Sequence, residues 1–462
     1  MAENSEAATA DEKRQPPLRR VIGPKLLLFF IVGDVIGTGI YALTGTVAGK
    51  IGGALWLPFL IAFGVAFLIA LSYLELVGKY PQAAGAALYT HKAFGIPMLT
   101  FMVAFAVMSS GITSASSAAV AFAKTYLAEL MGGNLIAPAA VIASAFILVL
   151  GAINFRGVSE SVKLNVVLTC IELSGLFIIV VIGAYAIAVG NGEPSRLTQV
   201  DTAHETWLTA VGSATALAFF AMVGFEDSVN MAEETHDPVR TFPKAMLWGM
   251  AIAAAIYVLV SVTSSLLIPA DRLAKAESNA LLLVVSVGAP SFPRWVFALI
   301  GLFAVINSAL INMLMASRLV YGMANERIIP RIFGTVHASR RTPWVSILFT
   351  SAIAITLVST VDIGILGGTT ALLLLAVFTI VNVAVLVLRK HPVEHQHFRA
   401  PTAVPVVGAV SCAYLASPLS GREPSEYVIA GILLAVGLVL WAINRRIVGR
   451  VTIHPERLSK SA

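Results

Sequence analysis

The sequence predicts an all-α polytopic membrane protein, and three observations carry that expectation. Of its 462 residues, 58% are hydrophobic and 12% are charged, against about 25% charged in an ordinary soluble domain. Mean hydropathy is +0.86. Apolar runs of about 20 residues, each long enough to cross about 30 Å of hydrocarbon, recur from end to end and leave no room for a soluble domain. All the chemistry therefore has to sit within or between helices.

A polar tail, residues 1–24, comes first, mixing acidic and basic residues with Pro16 and Pro17. The apolar run after it is long and lacks a following small-residue cleavage site, so it does not read as a cleaved signal peptide. Apolar runs bounded by charge, Pro and Gly predict spans near 25–48, 53–78, 86–122, 135–153 and 163–189, a first half at 25–190. A second half at 205–390 holds spans near 207–232, 243–268, 295–323, 343–360 and 363–388. Two more, near 403–419 and 427–448, fall in 401–449, and a tail of 450–462 closes the chain. Twelve helices are expected in all.

Lys and Arg concentrate on the cytoplasmic side of a membrane protein. With the N-terminus inside, Lys13, Arg14, Lys79, Arg156, Arg240, Arg327, Arg341, Arg389 and Arg445 fall on the inner side with many others. Only Lys50, Lys124, Arg196, Arg272, Lys275, Arg294 and Arg422 fall outside, an asymmetry of about three to one. Both termini are expected in the cytoplasm, with the chain in the cytoplasmic (inner) membrane. Topology thus explains the net charge of +6, and no nucleic-acid partner is needed.

The first span reads IVGDVIGTGIY at 31–41, with an aspartate and three glycines where lipid tolerates neither charge nor loose helix. The sixth reads FFAMVGFED at 219–227. Each opens a five-span half, and an odd number of spans per half turns the second half upside down relative to the first. Interrupted segments at matching positions of two such halves point to a transport site near the bilayer midplane. Backbone groups freed by a break in lipid need partners. Free N–H groups near Gly37, Thr38 and Gly39, at a half-helix start, suit a carboxylate. Carbonyls freed around Phe220, Ala221, Met222 and Val223 suit an ammonium. Together they describe an α-amino acid. The other use of such glycines is close helix packing, and Gly33 and Gly37 have the small-xxx-small spacing. The second interrupted segment favours the site.

VGDVIGTGIY, YLELVGKYPQAAGAALY (73–89), FFAMVGFEDSVNMAEETHDPVRTFPKAM (219–246) and ASRLVYGMANERIIP (316–330) occur in that order. With these four motifs the chain resembles bacterial permeases of the amino acid, polyamine and organocation superfamily. The resemblance implies a five-plus-five inverted-repeat core with two extra helices, working by alternating access. It implies substrate carboxylate at Gly37, Thr38 and Gly39, and substrate amine at the backbone of Phe220 to Val223. Ile36 and Gly224 are counted with them, and Phe220 is the expected aromatic gate.

Acids inside spans need a partner or a role, since each costs about 2.5–3.5 kcal/mol at a helix centre. Glu172 falls midway in the fifth span, where proton-coupled relatives carry a lysine; a buried glutamate can itself titrate, so it is a candidate proton carrier, with a structural hydrogen-bonding role as the alternative. Asp34, three residues before Gly37, shares its helix face and is expected to meet the substrate or take part in coupling. Glu226 matches an acid of some exchangers and is a third coupling candidate, while Asp227 is expected to face elsewhere. Glu75 is expected to pair with Lys79 at i,i+4. Ser109 and Ser110 are the candidate hydroxyls of the third span. Cys170 and Cys412 are taken as small core residues. His391, His395 and His397 are taken as a solvated loop. No phosphate loop, HExxH or Cys/His constellation points to an enzyme, a cofactor or a metal. The expected function is secondary transport of amino acids, with protons as the coupling ion, an exchanger or amine carrier as the alternative, and a non-transporting sensor behind those. The amino acid, protons and the lipid bilayer are the expected partners.

Overall fold

The structure, a computed structural model, describes residues 22–81, 85–156, 161–201, 206–325, 329–340 and 342–448. Both tails but for their innermost residues, and Arg327 and Arg341, lie outside the described residues. Helices account for nearly all of it; among the described residues the only β pairing is two isolated bridges, Ile22 with Thr235 and Gly52 with Val200.

The chain opens with α1 (Pro24–Val35) and α2 (Thr38–Ile51), two halves of one span broken at Ile36–Gly37. Then come α3 (Trp56–Lys79), α4 (Gly85–Phe94) and α5 (Pro97–Ala121), the last running on through a π-helical turn at Phe122–Leu127. Next are α6 (Ala139–Arg156) and α7 (Ser161–Ala188). A second broken span comes after them: α8 (Trp207–Ala218), a 3₁₀ turn at Phe219–Met222, an irregular stretch, and 3₁₀ structure over Asp227–Glu234. α9 (Pro238–Leu267) leads to a hairpin of two short helices, α10 (Ala270–Ala276) and α11 (Ala280–Gly288). α12 (Arg294–Asn325), α13 (Trp344–Thr360), α14 (Ile363–Leu388), α15 (Ala403–Ala416) and α16 (Pro424–Val448) complete the chain.

Among the described residues, ten helical segments are long and apolar enough to cross a membrane, and α13 and α15 are shorter apolar helices of 17 and 14 residues. The ten segments and the two shorter helices overlap the apolar runs of the sequence. One expectation needs correction: the run 86–122 is two helices. Gly95, at φ +62°, takes the left-handed position that ends α4, and Pro97 sits at the first position of α5, where its missing N–H costs nothing. Sequence reading also passes over the α10–α11 hairpin, whose helices, of 7 and 9 residues, are too short to register as spans.

The first and sixth spans sit inside the bundle. Leu27, Ile31, Ile36, Ile40 and Val47 along α1–α2, and Ala214 to Met222 at the second break, are almost wholly buried. α5 packs on α12 and α14, α9 on α1 and α3, and α10 on α2. The outward faces are apolar: Leu148, Val149, Phe177, Val181, Leu348, Val410 and Val439 are exposed, as expected of lipid-facing surface. Cys412 is buried as expected, whereas Cys170 faces outward on α7 and is no core residue.

Candidate functional site

Each broken span has 12 residues of helix before its break. At 1.5 Å per residue that is about 18 Å, a little more than half of the hydrocarbon thickness, which puts both breaks at mid-depth. There they touch. A Cβ added to Gly39 would overlap the Cα and Cβ of Ala221. Gly224 stands at φ +123°, and a Cβ there would lie 2.7 Å from the Asp34 carbonyl oxygen and 3.1 Å from the Val35 nitrogen. Only glycine lets these backbones approach so closely at that φ.

The contact leaves polar backbone facing inward. At the start of α2 the N–H groups of Thr38, Gly39 and Ile40 have no carbonyl one turn back to accept them. The Gly37 N–H, which the sequence alone reads as free, bonds the Val35 carbonyl at 3.1 Å. That same carbonyl accepts the Tyr257 hydroxyl of α9 at 2.6 Å, so Tyr257 caps the broken end of α1. Tyr257→Phe should leave the carbonyl with the Gly37 bond alone and destabilise the fold by about 1 kcal/mol, read as a lower unfolding temperature in detergent. An unchanged midpoint would show that the Gly37 bond suffices.

Around the breaks lies a small cavity, lined by Asp34, Gly37, Thr38, Gly39, Phe220, Val223 and Gly224 of the expected residues. Val35, Ser114, Asp227, Ser308 and Asn312 complete the wall. Ile36, Ala221 and Met222 are buried behind it rather than lining it. Ser110 lines an adjoining cavity and donates to the Val107 carbonyl at 2.7 Å, while Ser109 lines none of these cavities. The third-span hydroxyl at the site is Ser114, one helical turn further on.

Asp227 does not face away from the site, as helical spacing would have it. The segment from Val223 to Glu226 is irregular and Asp227–Glu234 is 3₁₀, so the 100° step of an α-helix does not apply. Two further small cavities continue from the first through shared residues Val223, Asp227 and Asn312, and then Val107, Glu226 and Leu319, to Gly85–Ala87 at the start of α4. Asp227 lines all three, and among the described residues no Lys, Arg or His lines any of them. Glu226 lines the second and third, and its Oε2 accepts the Gly224 N–H at 2.9 Å.

Glu172 lines none of these cavities. It is fully buried between α7 and α12, where its Oε1 accepts from Asn307 Nδ2 at 3.2 Å and its Oε2 has no partner. Its backbone carbonyl accepts the Tyr41 hydroxyl, and the Tyr41 carbonyl accepts that of Tyr126 at 2.8 Å.

Glu75 pairs with a different residue from the one expected. Its carboxylate is held by Arg389 through two hydrogen bonds of 2.7 and 2.6 Å and by the Ala400 N–H at 2.9 Å, while the Lys79 ammonium donates to the Leu388 carbonyl. The Glu75 hydrogen bonds hold the Arg389 guanidinium above its ordinary pKa. The pairing joins α3 to the end of α14, a contact that no local spacing could reveal. His395 bonds the Gly78 carbonyl at 2.9 Å, and among the described residues no cluster of His, Cys, Asp and Glu could hold a metal.

Sequence reasoning misses Tyr257, Ser308 and Asn312. A signal for the last two is present: Asn307, Ser308 and Asn312 interrupt the apolar run of α12, and Ser308 and Asn312 are four apart on one face.

Residues 22–448 match the family model described as Amino acid permease. A methylthioribose transporter of Bacillus subtilis is 26% identical, over 94% of this chain and 95% of its own. The branched-chain amino acid permease BcaP of the same organism is 26% identical over 95% of each chain. A vacuolar cationic amino acid transporter 2 of Arabidopsis thaliana is 27% identical over 82% of this chain and 61% of its own.

Proposed function

The chain belongs to the amino acid permease family, and from that premise we propose that it carries α-amino acids across the cytoplasmic membrane by alternating access, coupled to protons. The single observation behind this is the meeting of two helix breaks at mid-depth around a small cavity. One break offers unpaired N–H groups at a helix start, the other the end of a helix, where the Phe220 carbonyl accepts the Val223 N–H at 3.3 Å and keeps a second lone pair. A zwitterion satisfies both. Twelve crossings, an inverted five-plus-five repeat and cytoplasmic termini belong to the same proposal, supported by the equal lengths of helix before each break and by the distribution of basic residues.

Access supports it as well. The three linked cavities run from the breaks to the start of α4, on the side assigned to the cytoplasm. On the opposite side the α10–α11 hairpin closes over α2, where a Cβ on Gly45 would strike the Leu273 and Glu277 carbonyls. The linked cavities thus extend toward the inner side, while the hairpin covers the site on the outer side. Glu172, with one carboxylate oxygen buried and unpartnered, is the proposed proton carrier, and Asp34 and Glu226 are the others.

Purified protein in liposomes should accumulate a labelled amino acid faster under an inward proton gradient. Glu172→Gln should reduce driven uptake to the undriven rate while amino acid counterflow continues. Uptake indifferent to the gradient, yet stimulated by amino acid inside, would replace symport by exchange.

A further inference from the structure

An amino acid brings one carboxylate and one ammonium, and the two helix breaks answer both with backbone. The path of linked cavities nevertheless holds three carboxylates that backbone recognition does not use, and one of them, Asp227, has no place in the proton coupling proposed above either. Asp34 and Asp227 both line the first cavity, Glu226 joins them where it continues, and among the described residues no basic side chain lines the path. Glu226 has one oxygen occupied by the Gly224 N–H, which ties it to the backbone of the break. Asp34 is freer: its Oδ2 is buried without a hydrogen-bond partner. Thr38, 1% exposed, lines the same cavity, and its hydroxyl has no hydrogen-bond partner in the protein. Carboxylates gathered in a water-poor site call for a positive countercharge.

We propose that Asp227, opposite Asp34, forms a subsite for a second positive charge, so that the preferred substrates are amino acids with a cationic side chain. Asp227 fits the role by position. It stands at the junction of all three cavities, where a side chain leaving the α-carbon at the breaks passes Phe220 and Val223 on its way inward. Apolar walls there suit the methylene stem, and the carboxylate its charged end. The inference rests on the amino acid reading of the site and deepens it.

The test uses the full-length chain in liposomes and measures uptake of radiolabelled lysine and leucine by the wild type, Asp227→Asn and Asp227→Glu, each first checked for cooperative thermal unfolding. Lysine should be taken up and should compete with leucine. Asp227→Asn should lower the lysine-to-leucine ratio of kcat/KM on the order of tenfold or more, as loss of one partner of a buried ion pair does, and Asp227→Glu should restore most of it. Leucine uptake without lysine uptake or competition would overturn the inference and leave the amino acid reading standing. A ratio unmoved by Asp227→Asn would also overturn it, assigning this carboxylate to protons or packing. If neither lysine nor leucine is taken up or competes, the amino acid reading falls and the inference with it.

Discussion

Gly224→Ala should all but abolish uptake. Two effects add at this position. A φ of +123° belongs to a region that side chains other than glycine avoid, at a cost of about 1–3 kcal/mol. The new methyl would also lie 2.7 and 2.8 Å from the carbonyl oxygen and carbon of Asp34, both backbone atoms that cannot rotate away. Relief requires the end of α1 to move off the second break, which displaces the free N–H groups of α2 from the carbonyls they work with. A misplacement of about 1 Å in a site that must orient its ligand costs on the order of 100-fold in catalysts, and a comparable loss of uptake is expected here. Gly64→Ala is the control, since nothing lies within 4 Å of a Cβ at that position. Wild-type uptake by Gly224→Ala would show that the two breaks need not touch.

Arg422→Met should produce the largest loss of stability. The guanidinium is 1% exposed, pairs with Glu426, and donates to the carbonyls of Leu415 at 2.6 Å, Gly368 at 2.9 Å and Ala216 at 3.2 Å. One side chain thus ties the ends of α8 and α15 and the first turns of α14 to the start of α16. Its removal leaves a carboxylate and three carbonyls without their donor, and breaking a buried ion pair from one side costs about 3–5 kcal/mol. The pair Arg422→Met/Glu426→Leu, which removes both charges, should recover part of the lost unfolding temperature. If the double variant is no more stable than the single one, the charges are not coupled and the damage comes from lost packing.

The spans are legible in the sequence because hydropathy needs only composition over a window, and lipid imposes it everywhere. Both breaks are legible for a related reason: Gly37, Gly39 and Gly224 stand out in apolar context, and Gly39 and Gly224 are the ones pressed against backbone. Contacts between distant segments are not. Arg389 is 314 residues from Glu75, so Lys79, four residues away, is the only partner that spacing can offer. Asp227 is misplaced by a helical wheel drawn through residues that do not form an α-helix. Ser114 loses out to Ser109 and Ser110 because VMSSGITSASSAAVAF offers hydroxyls on every face, and only the packing of α5 on α12 selects one. The split of α4 from α5 is written in Gly95 and Pro97, but continuous apolarity across them conceals it.

The 14 residues of α15 carry a consequence for the lipid around the protein. At 1.5 Å per residue this helix is about 21 Å long, some 9 Å short of a typical hydrocarbon core. Its outer face, with Val406, Val407 and Val410 exposed, is apolar along that short length. In the twelve-span arrangement proposed above α15 crosses the membrane, and a bilayer that thins beside it would make this flank of the molecule match short acyl chains better than long ones. Activity in vesicles should then fall as acyl chains lengthen, a sensitivity set by the rim of the bundle rather than by its centre.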